Sequence, residues 1–314
     1  MPVSEPPGAT SPLRVTITGA TGLIGPRLID ALRARGAEVT VLTRDPDRAR
    51  SRLGDVEAHS WDLMGEAAPV AALEGRDAVI HLAGEPVAQR WSAGAKRAIE
   101  ESRVTGTRNL VEGLRQADSR PRALVSSSAI GYYGAHGEEP LDEDAPPGGD
   151  FLAGVCVEWE AEARRACELG LRTVLIRTGV VLDSAGGALG KMLPPFKLGI
   201  GGPVAGGRQF ISWIHAEDVV GMMTQAVEDE RWEGPVNATA PTPVANRDFS
   251  RALGRALHRP SLLPVPGLAL RVLYGDMAEI VTTGARVVPA KALVLGYDFR
   301  HPELDAALQA AVGS

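Results

Sequence analysis

Short apolar runs alternate with longer stretches of helical periodicity through the first half of the chain. The runs Arg14–Thr18, Glu38–Thr43, Glu57–Trp61, Ala78–Leu82, Ala123–Ser127 and Arg172–Arg177 are rich in β-branched and aliphatic residues and read as strands. Between most of them, Leu23–Arg35, Ala93–Ala117 (with a break expected near Gly106) and Phe151–Leu169 carry apolar residues at helical spacing, as does the later run Val219–Val227. Such alternation predicts a parallel sheet covered on both faces, a doubly wound α/β fold of Rossmann type. Ligands of that fold lie beyond the carboxyl ends of the strands, so functional residues are sought just after each one.

The pattern changes at Asp183–Gly207, a Gly/Pro-rich span that is long for a connection; such segments are often lids or binding loops. It divides the chain into a disordered arm (1–12), a nucleotide-binding domain (13–182 and 208–238) and a smaller substrate domain (183–207 and 239–314). The span would cross the open end of the crevice and bring Lys191, Arg208, Gln209 and Trp213 towards a substrate.

At 314 residues, 44% hydrophobic and 23% charged, the chain has the composition of an ordinary globular protein. With 33 Lys+Arg against 39 Asp+Glu and no basic block, no nucleic-acid partner is expected. No apolar run approaches the roughly 20 residues of a membrane span, and Met1–Pro12 lacks the layout of a signal peptide. Cys156 and Cys167 fall on one predicted helix, about 16 Å apart at 1.5 Å per residue, too far for a disulfide. Free thiols suit a reducing compartment, and the cytoplasm is the expected location. A monomer or homodimer is expected.

The chemistry begins at Thr18-Gly-Ala-Thr-Gly-Leu-Ile-Gly25, a glycine loop between the first strand and the first helix. Unpaired helix N–H groups and the helix dipole make such a junction an anion site. Gly19 permits the turn, Gly22 lets a pyrophosphate approach the backbone, and Gly25 lets helix and strand pack closely. Thr21, Leu23 and Ile24 complete the loop. The second strand ends in Thr43 and Arg44, where an NAD-preferring site usually places a carboxylate. A guanidinium there suits a 2′-phosphate, which points to NADP(H), while Asp45 reads equally well as a helix cap. Asp62 and Leu63 follow the third strand, at the adenine edge. Leu82, Ala83, Gly84 and Glu85 follow the fourth, small residues that let a cofactor lie against the backbone and one carboxylate for polar contact. His81, inside an apolar run, reads as structural. Arg103 begins a new helical stretch and is placed to reach back towards the phosphates. No metal site is expected: the cysteines are too few and no H-E-x-x-H occurs.

The fifth strand ends Ser126-Ser-Ser-Ala-Ile-Gly-Tyr-Tyr-Gly134. With the glycine loop and His81-Leu-Ala-Gly84, this resembles the extended short-chain dehydrogenase/reductases, the group of sugar-nucleotide epimerases and dehydratases. The resemblance implies that Ser128 bonds a substrate oxygen and that a later Tyr-x-x-x-Lys donates a proton and holds the nicotinamide ribose. Aligning Glu160 puts Leu152 at the tyrosine and Cys156 at the lysine, and no Tyr-x-x-x-Lys occurs elsewhere. Asp150-Phe-Leu, Trp159-Glu160, Arg177-Thr-Gly-Val-Val-Leu, Gly186-Gly-Ala-Leu-Gly-Lys-Met, Ser212-Trp-Ile-His-Ala-Glu-Asp218 and Gly296-Tyr-Asp-Phe are similar to the atypical "epimerase family" reductases, which carry a C-terminal segment of unknown function. For these the implied cofactor is NADP(H), with contacts at the glycine loop, Thr43-Arg44, Leu82-Ala83, Arg103 and Arg177.

The leading expectation is a reductase or epimerase-type enzyme on an unidentified small molecule. Ser128 would bind the oxygen, with Tyr132 or Tyr133 supplying the proton. The alternative is an NADP(H)-sensing binding protein without catalysis, for example in cell-division control. A serine-hydrolase reading of Ser128, His215 and Asp218 lacks a G-x-S-x-G elbow, and His215 and Asp218 read as helix caps. Asp142-Glu-Asp144 reads as a solvated acidic loop.

Overall fold

Seven strands build one parallel sheet in the computed structural model, which describes residues 12–313. They are β1 (Arg14–Thr18), β2 (Glu38–Thr43), β3 (Glu57–Ser60), β4 (Ala78–His81), β5 (Ala123–Ala129), β6 (Arg172–Thr178) and β7 (Gly234–Ala238). Their spatial order is β7-β6-β5-β4-β1-β2-β3, and each neighbouring pair is parallel. The chain thus leaves β1 in one direction and returns beside it at β4, so a crevice opens between the carboxyl ends of these two strands. The expected arm, apart from Pro12, lies outside the described residues.

Helices cover both faces because the strand residues alternate between two cores. On β2, Val39 and Val41 join one core with Leu28, Ile29 and Leu32 of α1 (Gly25–Arg33), residues of α2 (Pro46–Leu53), and Met222 and Met223 of α6 (Ala216–Glu228). Leu42 joins the opposite core with Leu110 and Leu114 of α3 (Ala93–Gln116) and Ala163 of α4 (Phe151–Arg164). A third core gathers Leu189, Leu193 and Phe196 of α5 (Gly187–Lys197), Phe249 and Leu253 of α7 (Asn246–Ala256), and Leu308 of the final helix, Leu304–Gly313. It also takes in Ile211 and Trp213.

Three elements differ from the sequence-based expectation. α3 runs unbroken through Gly106, because this glycine serves packing: a Cβ there would stand 2.3 Å from Leu63 Cδ1. The Gly/Pro-rich span holds α5, with Pro194 and Pro195 in its last turn. β7 carries too little alternation to read as a strand, and its Pro235 is tolerated because β7 is an edge.

Candidate functional site

The crevice is shaped first by two glycines. Gly19 has φ +67, and a Cβ on it would lie 2.7 Å from the Ala83 nitrogen, so the loop after β1 lies directly on the segment after β4. At Gly25 a Cβ would fall 2.0 Å from the Ala20 carbonyl oxygen, so only glycine lets α1 start this close to the loop. Gly22 is exposed and turns back on Gly19 through a 2.9 Å backbone bond. The N-cap of α1 is Ile24, which offers no side-chain acceptor, so the first-turn N–H groups are left for another anion.

Thr18 ties the two walls together. Its Oγ1 accepts from the backbone nitrogens of Leu82 and Ala83, both at 3.2 Å, and lies 2.7 Å from His81 Nδ1. His81 Nε2 reaches Thr107 Oγ1 at 3.1 Å. Burial, and next the charge of Arg103, push the His81 imidazole down to about 4, so it is neutral near pH 7, a structural histidine as expected.

At the end of β2, Asp45 caps α2 by accepting from the Arg48 nitrogen at 3.0 Å, and Thr43 Oγ1 accepts from the Asp45 nitrogen at 3.3 Å. The carboxylate is therefore committed to the helix. Arg44 is exposed, and among the described residues no ion pair holds it. After β3, Asp62 is exposed and accepts from the Met64 nitrogen, while Leu63 packs on Gly106.

Arg103 sits where the segment after β4 meets α4. It donates to the Glu85 and Ile99 carbonyls at 3.0 and 3.1 Å, and its guanidinium lies 5.1 Å from the Trp159 ring. A Cβ on Gly84 would stand 3.3 Å from its Cζ. Burial lowers its pKa, while Cys156 and Glu85 act in the other direction. The Glu85 nitrogen is held by Ser102 Oγ and its carboxylate by Gln89.

The end of β5 holds a buried polar network that changes four expectations. Arg177 faces Ser128 in the β5–β6 register and is 2% exposed. Its Nε and Nη2 grip the Glu160 carboxylate at 2.8 and 2.9 Å, and its Nη1 donates to Tyr133 Oη and the Glu143 carbonyl. Burial alone would lower the Arg177 pKa, but the bonds and charge of Glu160 leave it raised. This guanidinium is thus the centre of an internal ion pair rather than an open cofactor contact. Tyr133 is fully buried, and its hydroxyl donates to Asn237 Oδ1 at 2.7 Å, which removes it as an open proton donor. Burial, the largest influence, pushes that phenol up to about 12. Ser128 is 3% exposed and donates to Glu160 Oε1 at 2.7 Å, because a carboxylate gripped by a guanidinium can only accept. Glu143 does not lie in a solvated loop: it is buried and accepts from the Asn237 and Lys291 nitrogens. Burial raises its pKa, against those backbone bonds.

Tyr132 remains half-buried, its ring stacked 3.5 Å from Arg177 Cζ; no hydrogen bond holds its hydroxyl among the described residues. Leu152 and Cys156 face Gly131 from α4. Burial, then Glu160, pushes the Cys156 thiol up to about 12, so it is neutral and no cation stands at that position. Nothing in the sequence marks Glu160, Glu143 and Asn237 as one cluster, since they stand on separate stretches of the chain. The one available signal was the adjacency Trp159-Glu160.

Elsewhere, Trp213 is fully buried with Nε1 on the Thr242 carbonyl, and Gln209 bonds the Val204 and Val281 carbonyls, so neither side chain is free for a substrate. Arg208 lines a separate cleft of about 380 Å³ with Phe210 and Arg247. His215 caps α6 through the Glu217 nitrogen, as expected, and no hydrogen bond joins it to Ser128 among the described residues. Asp218 does not cap: it is fully buried and accepts from the Arg300 and His301 nitrogens, clasping the C-terminal segment. His215, Glu217 and His301 cluster closely: His215 Nδ1 takes the Glu217 N–H, and Glu217 Oε2 lies 3.2 Å from His301 Nε2 and 3.7 Å from Arg300 Nη1. A larger cavity, about 570 Å³, lies at the amino ends of the strands, between Arg35, Asp77, Arg122 and Arg172, at the opposite end of the sheet from the crevice. No helix among the described residues is long and apolar enough to cross a membrane.

Comparison with known proteins agrees with this geometry. Residues 15–238 match the NAD dependent epimerase/dehydratase family, and residues 265–311 match a domain of unknown function, DUF1731. The chain is 40% identical over 302 residues to the chloroplastic epimerase family protein SDR39U1 homolog of Arabidopsis thaliana, covering 96% of this chain and 87% of that one. It is 40% identical over 296 residues to epimerase family protein MT2273 of Mycobacterium tuberculosis, covering 94% and 96%. The crystal structure of human epimerase family protein SDR39U1 with NADPH superposes with a TM-score of 0.86 at 35% identity, covering 96% of this chain and all of that one. A 22% identical chain, MoeE5 in complex with UDP-glucose and NAD, shares the fold with a TM-score of 0.76. With the glycine loop, the strand order and the C-terminal segment in agreement, the chain belongs to the NAD-dependent epimerase/dehydratase family, in its atypical short-chain dehydrogenase/reductase group.

Proposed function

We propose that this protein binds NADP(H) in the crevice between β1 and β4 and acts as an oxidoreductase or epimerase-type enzyme on a small molecule. The observation that carries the cofactor is Arg44: an exposed guanidinium at the end of β2, beside a carboxylate already committed to capping α2. The uncapped start of α1 suits the pyrophosphate, and Gly19, Thr21, Gly22, Leu23, Ile24 and Gly25 bring backbone close to it. The NADPH named with the human relative supports the same choice. When bound, the nicotinamide supplies hydride exchange.

Around that reaction the chain offers a narrow set of groups. Tyr132 keeps an uncommitted hydroxyl and is the proton donor we favour. Ser128 is the oxygen-binding group only if its hydroxyl leaves Glu160. Arg103 puts a positive charge beside the neutral Cys156. A second reading, a nucleotide-sensing protein without turnover, is favoured by one feature: the Ser128 and Tyr133 hydroxyls are both committed inside the protein. Incubating the protein with NADPH and a carbonyl panel, then with a metabolite extract, separates the two. Cofactor oxidation that disappears in Tyr132→Phe supports the enzyme; tight binding with no oxidation supports the sensor. Two unpaired cysteines, one of them exposed, support a reducing compartment such as the cytoplasm.

A further inference from the structure

α5 touches both walls of the crevice. Its start packs on the glycine loop: a Cβ on Gly186 would stand 3.3 Å from Leu23 Cδ1, and one on Gly187 3.0 Å from Leu23 Cδ2. One turn later the Lys191 ammonium donates to the Ala88 carbonyl, in the segment that follows β4. Glycines bound the helix on both sides. Gly187, at φ +62, opens it, and Gly199, at φ +72, follows it, with Gly201 and Gly202 close behind. Its root is pinned by Asp183, 2% exposed, which accepts from Arg27 Nε at 2.9 Å. Leu189, Leu193 and Phe196 anchor its inner face in the third core, so the helix body stays in place and the exposed Lys191 side chain is the part able to change partner.

The partner of Lys191 is informative. Its side chain is exposed, and among the described residues no carboxylate lies within ion-pair distance of it. A neutral carbonyl is a weaker partner for an ammonium than an anionic oxygen, since charge-assisted bonds are roughly twice as strong as neutral ones. The lysine therefore links α5 to the segment after β4 through a replaceable partner.

We propose that α5 is a strap across the mouth of the crevice and that Lys191 is a cofactor-contacting residue, exchanging the Ala88 carbonyl for a pyrophosphate oxygen when the crevice fills. The proposal rests on the NADP(H) reading above. The pyrophosphate is assigned, rather than the 2′-phosphate, because Lys191 is tied to the segments after β1 and β4, whereas Arg44 stands after β2.

The test is fluorescence titration of the wild-type protein, Lys191→Met and Lys191→Arg with NADPH and with NADH, at low and high salt. Lys191→Met is expected to weaken both dinucleotides about tenfold and to flatten the salt dependence, with Lys191→Arg restoring most of the affinity. Hydrogen exchange across 187–197 is expected to slow with NADPH in the wild type and to slow less in Lys191→Met. Unchanged affinity and salt dependence in Lys191→Met overturn the strap alone. A loss confined to NADPH overturns the pyrophosphate assignment. A wild-type protein that binds neither dinucleotide overturns the cofactor reading and this proposal with it.

Discussion

Arg44 and Asp45 show how one position decides the chemistry of a site. The carboxylate that could have bonded ribose hydroxyls turns back to cap α2, and the guanidinium beside it faces solvent. Arg44→Ala is expected to remove most of the preference for NADPH while leaving NADH affinity nearly unchanged, as read by titration with each. Arg177 teaches the opposite lesson. From sequence it passes for a ligand contact, because the chain alone does not say which face of β6 it takes or that Glu160 waits on α4. In the fold both partners are at most 4% exposed at the side chain, and removing Arg177 leaves Glu160 only the longer pair with half-exposed Arg164 at 3.6 Å. Arg177→Met is expected to destabilise the protein by about 3 kcal/mol in chemical denaturation, the low end of the cost of breaking a buried pair, because Arg164 still faces Glu160. A loss below about 1 kcal/mol would mean that Arg164 or water replaces the lost partner of Glu160. His81 adds a pH signature. Its folded value is about 4 against an ordinary 6.5, so the unfolded chain binds the extra proton between those values. The stability gained from a neutral imidazole is complete above pH 6.5 and is lost as pH falls towards 4, at up to about 1.4 kcal/mol per unit. Histidine NMR should show His81 still neutral at about pH 5.5, and a normal titration would contradict its burial.

At the scale of elements, the strands and helices of the first half were legible because each carries one strong period. β1 to β6 and α1, α3 and α4 fall where apolar alternation puts them, within a few residues. The failures share a cause, which is that tertiary contact overrode local signal. Gly106 reads as a helix breaker but serves the close approach of Leu63, and α5 forms in a segment whose prolines and glycines argue for loop. Gly25 makes the same point as an expectation. Gly25→Ala puts a methyl on the Ala20 carbonyl at 2.0 Å, so α1 must shift and the anion site with it. Dinucleotide affinity is expected to fall at least tenfold in titration, together with a lower melting temperature. Retained affinity would show that the loop adapts.

Across the whole molecule, the crevice was more legible than the chemistry beside it. The glycine loop, the small residues after β4 and Arg44 are local motifs, and local motifs survive in a sequence. The network of Ser128, Glu160, Arg177, Tyr133, Asn237 and Glu143 draws on α4, β5 and the turn after it, β6, β7 and an acidic loop, so no single stretch announces it. That network occupies the place where the catalytic serine and a tyrosine were expected to face a substrate, and it leaves Tyr132 as the open hydroxyl. The same long-range logic ties in the C-terminal segment, where Asp218 and Glu143 each hold backbone nitrogens from residues 291–301. The reaction depends on a substrate, but binding does not. The most direct measurement is therefore calorimetric titration of the wild-type protein with NADPH and with NADH under the same buffer and salt. NADPH is expected to bind at least tenfold tighter, about 1.4 kcal/mol; equal affinities, or no binding of either, would contradict the assignment.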